Sequence, residues 1–450
     1  MVDVSPLRSR VSGPVLTADD PGFADEVRGW LLNFESTPDV VVGATSASDV
    51  VEAVKFACAN GLRVRAQGTG HGADVPVTDG LLITTKRLDS LSIDPATRLA
   101  TIGAGLEWGR VVSQAAPLGL VPILGSSSTV GAVGFLLGGG LGPLVRSHGF
   151  GSDWVRGFEL VTGEGDLVRA SIDDNPDLFW ALRGGKGGLG VVTGVTVELA
   201  PVGTIYGGSL MFDGANIRAA LGEWVRYLET VDPDVSTSFS IMRMPDLPFI
   251  PEKLRGHTLV SIRFAYPGEA ADGERLAAPL RAGAPVYFDG LTEMSVANMD
   301  AIHGDPTEPT IGWTRSRALG AIDQELVDVL LDHADAGKDF PFIALEVRHL
   351  GGAAATDVPE GSAVSGREAK GMVTLVGVPN QQLFESVIPR VADSVWESIG
   401  PWLDPQNNVN FAMPFATQHA YEAVWPAETF ARLATVRKKY DPKGTFVYGF

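Results

Sequence analysis

Apolar residues recur with helical spacing between two short apolar runs near the start of the chain. Within residues 48–61 the apolar positions are Val50, Val51, Val54, Ala57 and Cys58. This spacing predicts a helix that begins at the N-cap Ser48 and ends at Gly61. The runs 39–42 and 62–65 predict strands, and strand–helix–strand units usually bring parallel pairing. A short helix is also predicted over residues 22–34.

The segment up to about residue 200 continues with short strands and helices. Strands are predicted in residues 80–104, with a turn at Asp94-Pro95, and a helix over 107–116 ends before Pro117. A hairpin joins 158–160 to 166–170 around Gly163-Glu164-Gly165. Residues 175–193 predict a short aromatic helix, a glycine loop and a strand of branched residues.

The middle of the chain mixes alternating runs with amphipathic ones. Strands are predicted over residues 258–265, 341–347 and 371–378. Helices are predicted over residues 217–228, 324–334 and 381–399. A loop of small residues, 353–370, is predicted to lie near a pocket.

The length, apolar fraction, net charge and cysteine count of the chain limit the classes of protein to which it can belong. A chain of 450 residues exceeds what one hydrophobic core usually serves, so we expect two domains. An apolar fraction of 45% is typical of a soluble globular protein, and no apolar run could span a bilayer. A formal net charge of −19 argues against nucleic acid or an anionic membrane as partner. The single Cys58 excludes an internal disulfide, and without a signal peptide we expect a cytoplasmic location.

The richest candidate chemistry lies in residues 125–142, which read GSSSTVGAVGFLLGGGLG. The glycines are Gly125, Gly131, Gly134, Gly138, Gly139, Gly140 and Gly142. Glycine allows close approach of the backbone to a ligand, and serine and threonine add small donors and acceptors. The run therefore indicates a cradle for pyrophosphate or for the edge of a flat ring. A tight packing turn is the alternative.

A second glycine loop, residues 65–72, reads RAQGTGHG and follows a predicted strand. A nicotinamide-type Rossmann fingerprint needs G-x-G-x-x-G, and the third glycine is misplaced here, so we reject that interpretation. His71 lies between Gly70 and Gly72, where it either forms hydrogen bonds only or takes part in function. A third loop, residues 183–190, reads RGGKGGLG.

These three loops, in this order, resemble the vanillyl-alcohol-oxidase superfamily, and most closely its berberine-bridge-enzyme-like branch. The matching motifs are residues 68–71 (GTGH), Thr129-Val130-Gly131 with the later glycines of that run, and residues 175–193 almost entire. Asn410-Phe411 and Asp441-Pro442 resemble the closing segment of the family. Two positions differ from many relatives: Ser127 stands where a linking cysteine can occur, and Gly188-Leu189 replaces Asn-Phe.

The resemblance implies an α+β fold. A two-part PCMH-type FAD-binding domain would comprise residues 1–202 and 405–450. Residues 203–404 would form a substrate domain with an antiparallel sheet covered by helices.

The resemblance also implies a set of residues that bind FAD. They are Arg65, Gln67, Gly68, Thr69, Gly70, His71, Gly72, Ser127, Ser128, Thr129, Gly131, Gly134, Gly138, Gly139, Gly188, Val192 and Asn410. His71 occupies the position of the linking histidine, so we expect a covalent bond to FAD. With Ser127 in place of cysteine, that bond is the only one.

The implied activity is oxidation of a small organic molecule, an alcohol, an amine or an activated C–H compound, with O2 as acceptor and H2O2 as product. The candidate bases are Tyr421 and Tyr448, whose pKa near 10 would have to be lowered. Val130 is the candidate that controls access of O2. The sequence shows no metal-site or serine-hydrolase motif. A dehydrogenase and a non-catalytic flavin-binding protein remain as alternatives.

Overall fold

The computed structural model describes residues 2–73, 75–244, 246, 252, 255–334, 340–412, 415 and 417–448. Its strands form three sheets. Two sheets are built from residues 15–198 and the third from residues 204–377.

The first sheet confirms the parallel unit predicted near the N-terminus. It contains β1 (Val15–Leu16), β2 (Val40–Gly43), β3 (Val64–Gln67) and β4 (Leu81–Thr84), in the order β1-β2-β4-β3, with helices α1 (Ser5–Arg8), α2 (Phe23–Val27) and α3 (Ala47–Asn60). Helix α3 connects β2 to β3, and both strands run parallel to β4, which lies between them.

Two helix predictions near the N-terminus are wrong at their ends. Ser46, not Ser48, is the N-cap of α3, because its hydroxyl accepts the Asp49 N–H at 3.2 Å. Gly61 ends this helix with φ +66°, as predicted. The helix predicted over 22–34 ends at Val27, because the chain becomes extended there and the Trp30 N–H pairs with the Thr69 carbonyl at 2.9 Å.

The second sheet is antiparallel. It contains β5 (Leu91–Asp94), β6 (Leu99–Gly103), β7 (Val155–Val161), β8 (Leu167–Ala170) and β9 (Val191–Glu198), in the order β5-β6-β9-β7-β8. The accompanying helices are α4 (Trp108–Ala115), α5 (Ala132–Leu137), α6 (Val145–His148) and α7 (Pro176–Leu182). The predicted turn at Asp94-Pro95 and the predicted hairpin of β7 and β8 are confirmed.

The third sheet is also antiparallel and larger. It contains β10 (Thr204–Asp213), β11 (Ser236–Arg243), β12 (Thr258–Tyr266), β13 (Phe288–Asp289), β14 (Thr292–Ser295), β15 (Thr314–Leu319), β16 (Phe342–His349) and β17 (Gly371–Gly377). The order is β13-β10-β12-β11-β16-β17-β15, and β14 pairs with β10. Its helices are α8 (Ile217–Leu228), α9 (Ala270–Ala282), α10 (Gln324–Ala334), α11 (Gln381–Phe384) and α12 (Val387–Ser398). The helix predicted over 381–399 is thus divided near Ser386.

The two faces of this sheet differ in chemistry. One face packs apolar side chains against the helices: Phe239, Ile241, Val260, Ile262, Phe264, Leu345, Val347, Val373 and Leu375. The other face is polar, with buried Ser209, Ser236, Ser238, Ser240, Ser261, Arg263, Ser316, Glu346 and Thr374 and half-buried Arg348. Successive strand residues point to opposite faces, so this alternation follows from the sequence.

The C-terminal segment returns to the first sheet. It contains α13 (Val409–Ala412), α14 (Gln418–Glu422) and α15 (Ala427–Tyr440). Val64 in β3 pairs with Phe446: the Val64 N–H donates to the Thr445 carbonyl at 2.7 Å, and the Val447 N–H to the Val64 carbonyl at 2.9 Å.

The predicted α+β class, with an antiparallel sheet covered by helices, is confirmed. The domain boundaries at 202 and 405 stay a prediction. No helix among the described residues combines the length and the apolar character needed to cross a bilayer.

Candidate active site

The first glycine loop holds His71 between an aromatic ring and two hydroxyls. The Trp30 and His71 rings stack with centroids 4.0 Å apart and planes inclined by 21°. His71 Nδ1 lies 2.9 Å from Thr69 Oγ1, and Nε2 lies 3.1 Å from Thr129 Oγ1. Gly70 has φ +80°, and a Cβ there would lie 2.7 Å from the Gly29 Cα, so only glycine fits. Burial lowers the pKa of His71 to about 4, so the ring is neutral at physiological pH.

The second loop is tied to the first. The Gly131 N–H donates to Thr69 Oγ1 at 3.4 Å, and Ser127 Oγ lies 2.8 Å from Thr129 Oγ1. Ser128 hydrogen-bonds the carboxylate of Asp300 through both its N–H and its hydroxyl. Val130 is half-buried, and its carbonyl accepts the Trp108 N–H at 3.0 Å. The two loops therefore form one surface with His71 at their junction.

Unpaired amides and open space mark where this surface can receive a ligand. Within the described part of the chain, the N–H groups of residues 69–72 donate no hydrogen bond. A Cβ on Gly72 or Gly134 would meet no atom within 4 Å, and one on Gly68 would clear its neighbours at 3.6 Å. Adjacent unpaired amides are suited to phosphate oxygens. These residues thus fit the pyrophosphate and ring edge of a dinucleotide.

The third loop and the C-terminal segment close the other side of the glycine run. Lys186 Nζ donates to the Gly134 carbonyl at 2.9 Å and to Asn410 Oδ1 at 2.6 Å, and Asn410 Nδ2 donates to the Phe135 carbonyl at 2.8 Å. A Cβ on Gly138 would lie 2.0 Å from Asn410 Oδ1, so a larger residue there would displace the Asn410 side chain. Asn410 and the glycine run are therefore in direct contact.

The other residues predicted to bind the cofactor lie around these loops. Gln67 Nε2 donates to the Val27 carbonyl at 3.1 Å, and Arg65 is half-buried in β3. Val192 is buried in β9. Gly139 (φ +98°) packs against Val364, which belongs to the predicted small-residue loop 353–370. Arg65 and Gln67 therefore belong to β3 and Val192 to β9. The 353–370 loop contacts the glycine run through Val364 and Gly139.

The two tyrosines predicted as bases lie in an aromatic cluster of the C-terminal segment. The Tyr421 ring packs against Phe415, Trp425 and Tyr448, with centroids 5.2, 5.3 and 6.4 Å away. Burial raises the pKa of Tyr421 to about 12, the opposite of what a base requires. Tyr448 packs against Gly188, where a Cβ would lie 2.1 Å from its ring. This geometry favours packing roles, and we no longer assign the base to either tyrosine.

The buried polar face of the third sheet supplies charged residues that sequence reasoning missed. Arg263, Ser238 and Arg348 lie side by side on β12, β11 and β16. Glu346, two residues from Arg348 on the same face, accepts from Arg348 Nε at 2.5 Å and lies 3.1 Å from Arg263 Nη1. His303 Nδ1 lies 4.0 Å from the same carboxylate. Burial acts to raise the pKa of Glu346, but Arg348 and Arg263 outweigh it, so the carboxylate stays charged.

A small cleft of about 30 Å³, called the polar cleft here after its charged residues, lies between this face and the end of the glycine run. Apolar residues line it as well. Residues 141–143 line it on one side, and Arg263, His303, Arg348 and His349 line it on the other. Burial and the two arginines lower the pKa of His303 well below its usual range, and burial lowers that of His349 to about 3. Both histidines are therefore neutral. The cleft joins the glycine run to the sheet.

The sequence did contain a signal for this face. Ser236, Ser238 and Ser240 alternate with Thr237 and Phe239 in β11, and Glu346 and Arg348 alternate with apolar residues in β16. Such alternation is usually interpreted as a solvent-exposed face. Arg263 and Glu346 are only 6% and 7% exposed. The alternation of polar and apolar residues in the sequence cannot show this burial, because it depends on the rest of the fold.

The chain is similar in sequence and in fold to known FAD-linked proteins. Residues 38–171 match the FAD binding domain family. The chain is 26% identical over 464 residues to (R)-6-hydroxynicotine oxidase of Paenarthrobacter nicotinovorans, covering 98% of this chain and 96% of that protein. The structure of 6-hydroxy-D-nicotine oxidase from Arthrobacter nicotinovorans superimposes with a TM-score of 0.85 at 23% identity, covering 98% and 97% of the chains. The BBE-like 1 protein of Physcomitrella patens gives 0.83 at 18% identity, covering 99% and 98%.

Proposed function

We propose, from the premise that the chain is an FAD-dependent oxidoreductase of the vanillyl-alcohol-oxidase superfamily, that it is an oxidase of a small organic molecule bearing an alcohol, an amine or an activated C–H group. When bound, FAD would supply the redox chemistry, which is acceptance of a hydride from the substrate and return of two electrons and two protons to O2 as H2O2. The observation that carries the proposal is the polar cleft, which adjoins the glycine run on one side and buried charges on the other.

The glycine loops are suited to hold the cofactor. The unpaired amides of residues 69–72 can donate to the pyrophosphate, and the open directions at Gly72 and Gly134 leave room for it. Asn410 is fixed by Lys186 and by the Phe135 carbonyl, so it contributes a rigid edge.

His71 is suited to carry FAD through a single covalent bond from an imidazole nitrogen. Attack on a methyl carbon of the flavin ring would require a neutral imidazole, and burial keeps His71 neutral. The bond would replace a methyl C–H bond with loss of the proton, and the two electrons would reduce the flavin, which O2 would reoxidise. Stacking on Trp30 and contacts with Thr69 and Thr129 fix the ring orientation. Ser127 offers no second thiol linkage, so we propose one bond only.

Proton transfer from the substrate is assigned to His303. It lines the cleft, it is neutral, and its Nδ1 has no hydrogen-bond partner among the described residues. Glu346 lies 4.0 Å from that nitrogen and can stabilise the imidazolium that forms. The separation exceeds hydrogen-bond distance, so the carboxylate acts on the ring through its charge alone.

The experiment is an anaerobic screen. FAD-loaded protein is mixed with small alcohols and amines while the visible absorption of oxidised flavin is followed, and free FAD serves as control. We expect bleaching only with the protein, then recovery and one H2O2 per flavin when air is admitted. A protein that is bleached by a substrate but is reoxidised only by an artificial dye would be a dehydrogenase, which would contradict the proposal.

A further inference from the structure

The polar cleft is lined by positive and neutral groups only. Its lining contains Arg263, Arg348, His303 and His349, and none of the described lining residues is acidic. Both histidines are neutral, so the arginines set the charge. A buried cationic wall without an acidic lining residue is suited to an anionic ligand.

Arg263 is the least satisfied of these cations. Its side chain is 8% exposed and reaches the cleft from the centre of the sheet. Nη1 lies 3.1 Å from Glu346 Oε1, yet it makes no aligned hydrogen bond within the described residues. A buried guanidinium nitrogen without an acceptor is costly, and an acceptor supplied by a ligand removes that cost.

The carboxylate of Glu346 offsets only part of the positive charge of Arg263 and Arg348. Glu346 faces both Arg263 and Arg348, so one negative charge is shared by two positive ones. Arg146 lies nearby, but its guanidinium donates to the Val235 and Leu350 carbonyls at 2.7 and 2.6 Å. We therefore do not count it among the cations that can bind a ligand in the cleft. One positive charge in the cleft therefore has no counter-ion among the lining residues.

We propose that the substrate carries a carboxylate, which binds Arg263 and Arg348 in the polar cleft. This inference rests on the proposed function and names its substrate class. Guanidinium groups bind carboxylates through paired charge-assisted hydrogen bonds, which fix orientation as well as charge. The oxidised carbon is then held at the glycine run, on the opposite wall.

The same binding event prepares the proposed base. Burial lowers the pKa of His303 most, and Arg263 and Arg348 lower it further. A bound carboxylate offsets the contribution of the two arginines. An anionic substrate therefore makes His303 more basic only when it occupies the cleft. A neutral substrate leaves the arginines unscreened.

The test uses benzoate and its neutral isostere benzamide as probes of the FAD-loaded full-length protein. Binding is followed through the perturbation of the flavin absorption spectrum. We expect saturable binding of benzoate, with benzamide at least about tenfold weaker. Arg263→Met weakens benzoate by about tenfold or more, whereas the exposed Arg317→Met on β15 of the same sheet leaves it unchanged.

A second variant separates ligand recognition from a merely structural ion pair. Glu346→Gln removes the internal competitor for both arginines at constant size, so it tightens benzoate binding several-fold. If the ion pair is only structural, Glu346→Gln leaves benzoate binding unchanged or weakens it.

Equal affinities for benzoate and benzamide, or no binding of benzoate by the loaded protein, would overturn the inference. Loaded protein that oxidises neutral molecules without binding benzoate refutes the inference alone, and benzoate binding without any flavin reduction refutes the proposed function alone.

Discussion

At the scale of single residues, His71 shows how a loop sets the chemistry of one side chain. The flanking glycines let the chain turn beside Gly29, and Trp30 covers one face of the ring. Desolvation then keeps the ring neutral, which is the state required of a nucleophile. The sequence predicted His71 and its loop, but not Trp30, because the helix predicted over 22–34 gave no reason to place that residue beside residue 71.

Replacement of His71 tests the covalent bond. Acid precipitation should leave wild-type protein with a yellow pellet, and the peptide containing His71 should gain the mass of one FAD. His71→Ala should release all colour to the supernatant, while His148→Ala, at a half-buried histidine outside the loops, should keep it in the pellet. Free FAD in the wild-type supernatant would show that His71 does not carry the bond.

The buried histidines also predict acid sensitivity. In the unfolded chain their pKa is near 6.5, whereas in the folded chain it is about 4 for His71 and about 3 for His349. Between pH 6.5 and 4 the unfolded state binds more protons, so the free energy of unfolding falls as the pH falls through this window.

Each such histidine contributes a slope of up to about 1.4 kcal/mol per pH unit. Urea unfolding at several values between pH 5 and 7 measures this slope. His349→Gln should reduce it, and the exposed His257→Gln should not. Identical slopes in wild type and His349→Gln would show that burial of His349 costs no protonation energy.

At the scale of elements, α15 holds the third glycine loop. Arg437 is 3% exposed and donates to the Gly185 and Gly187 carbonyls at 2.7 and 3.0 Å. Its guanidinium also lies over the Tyr448 ring, 4.4 Å from the centroid. The C-terminal segment therefore stabilises a loop far from it in sequence.

Arg437→Met should lower the free energy of unfolding by about 3 kcal/mol, because two charge-assisted hydrogen bonds are lost and both carbonyls stay buried. The fraction of protein loaded with FAD should fall as well. Chemical denaturation and the ratio of flavin to protein absorption measure the two effects. Lys438→Met, exposed on the same helix, is the matched control, and equal behaviour of the two variants would mean that α15 does not support the loop.

Helices and strands whose apolar residues repeat regularly could be predicted from the sequence. Those without such a repeat could not. The helices over 217–228 and 324–334 have the predicted bounds, because each shows one apolar stripe. Strands β10 and β15 and helix α9 were missed. Strand β10 contains Gly207 and Gly208, which hide its pattern, and α9 contains Pro279, which argues against a helix in sequence.

At the scale of the whole molecule, the active-site proposal depends on surfaces that meet only in the folded chain. The sequence indicated the glycine loops, since glycine and small polar residues are informative by themselves. The polar face could not be assigned, because the strands that carry Arg263 and Glu346 are about 80 residues apart and pair through β11. The predicted base residues, Tyr421 and Tyr448, were chosen because they lie in the C-terminal segment that resembles the flavin-lining segment of the family, and that choice took no account of burial.

The central claim is that this chain is an FAD-dependent oxidase, and reoxidation tests it most directly because no substrate is needed. FAD-loaded protein is reduced with one equivalent of dithionite and mixed with O2 in a stopped-flow instrument, with Val130→Leu and the equally sized Val130→Thr as comparisons. Val130 is half-buried beside the loop junction, so a larger side chain should restrict O2. We predict one H2O2 per flavin and wild-type reoxidation about tenfold or more faster than in Val130→Leu, with Val130→Thr close to wild type. Wild-type reoxidation no faster than that of Val130→Leu would contradict Val130 as the gate, and a reduced wild-type flavin that persists in O2 would contradict the oxidase itself.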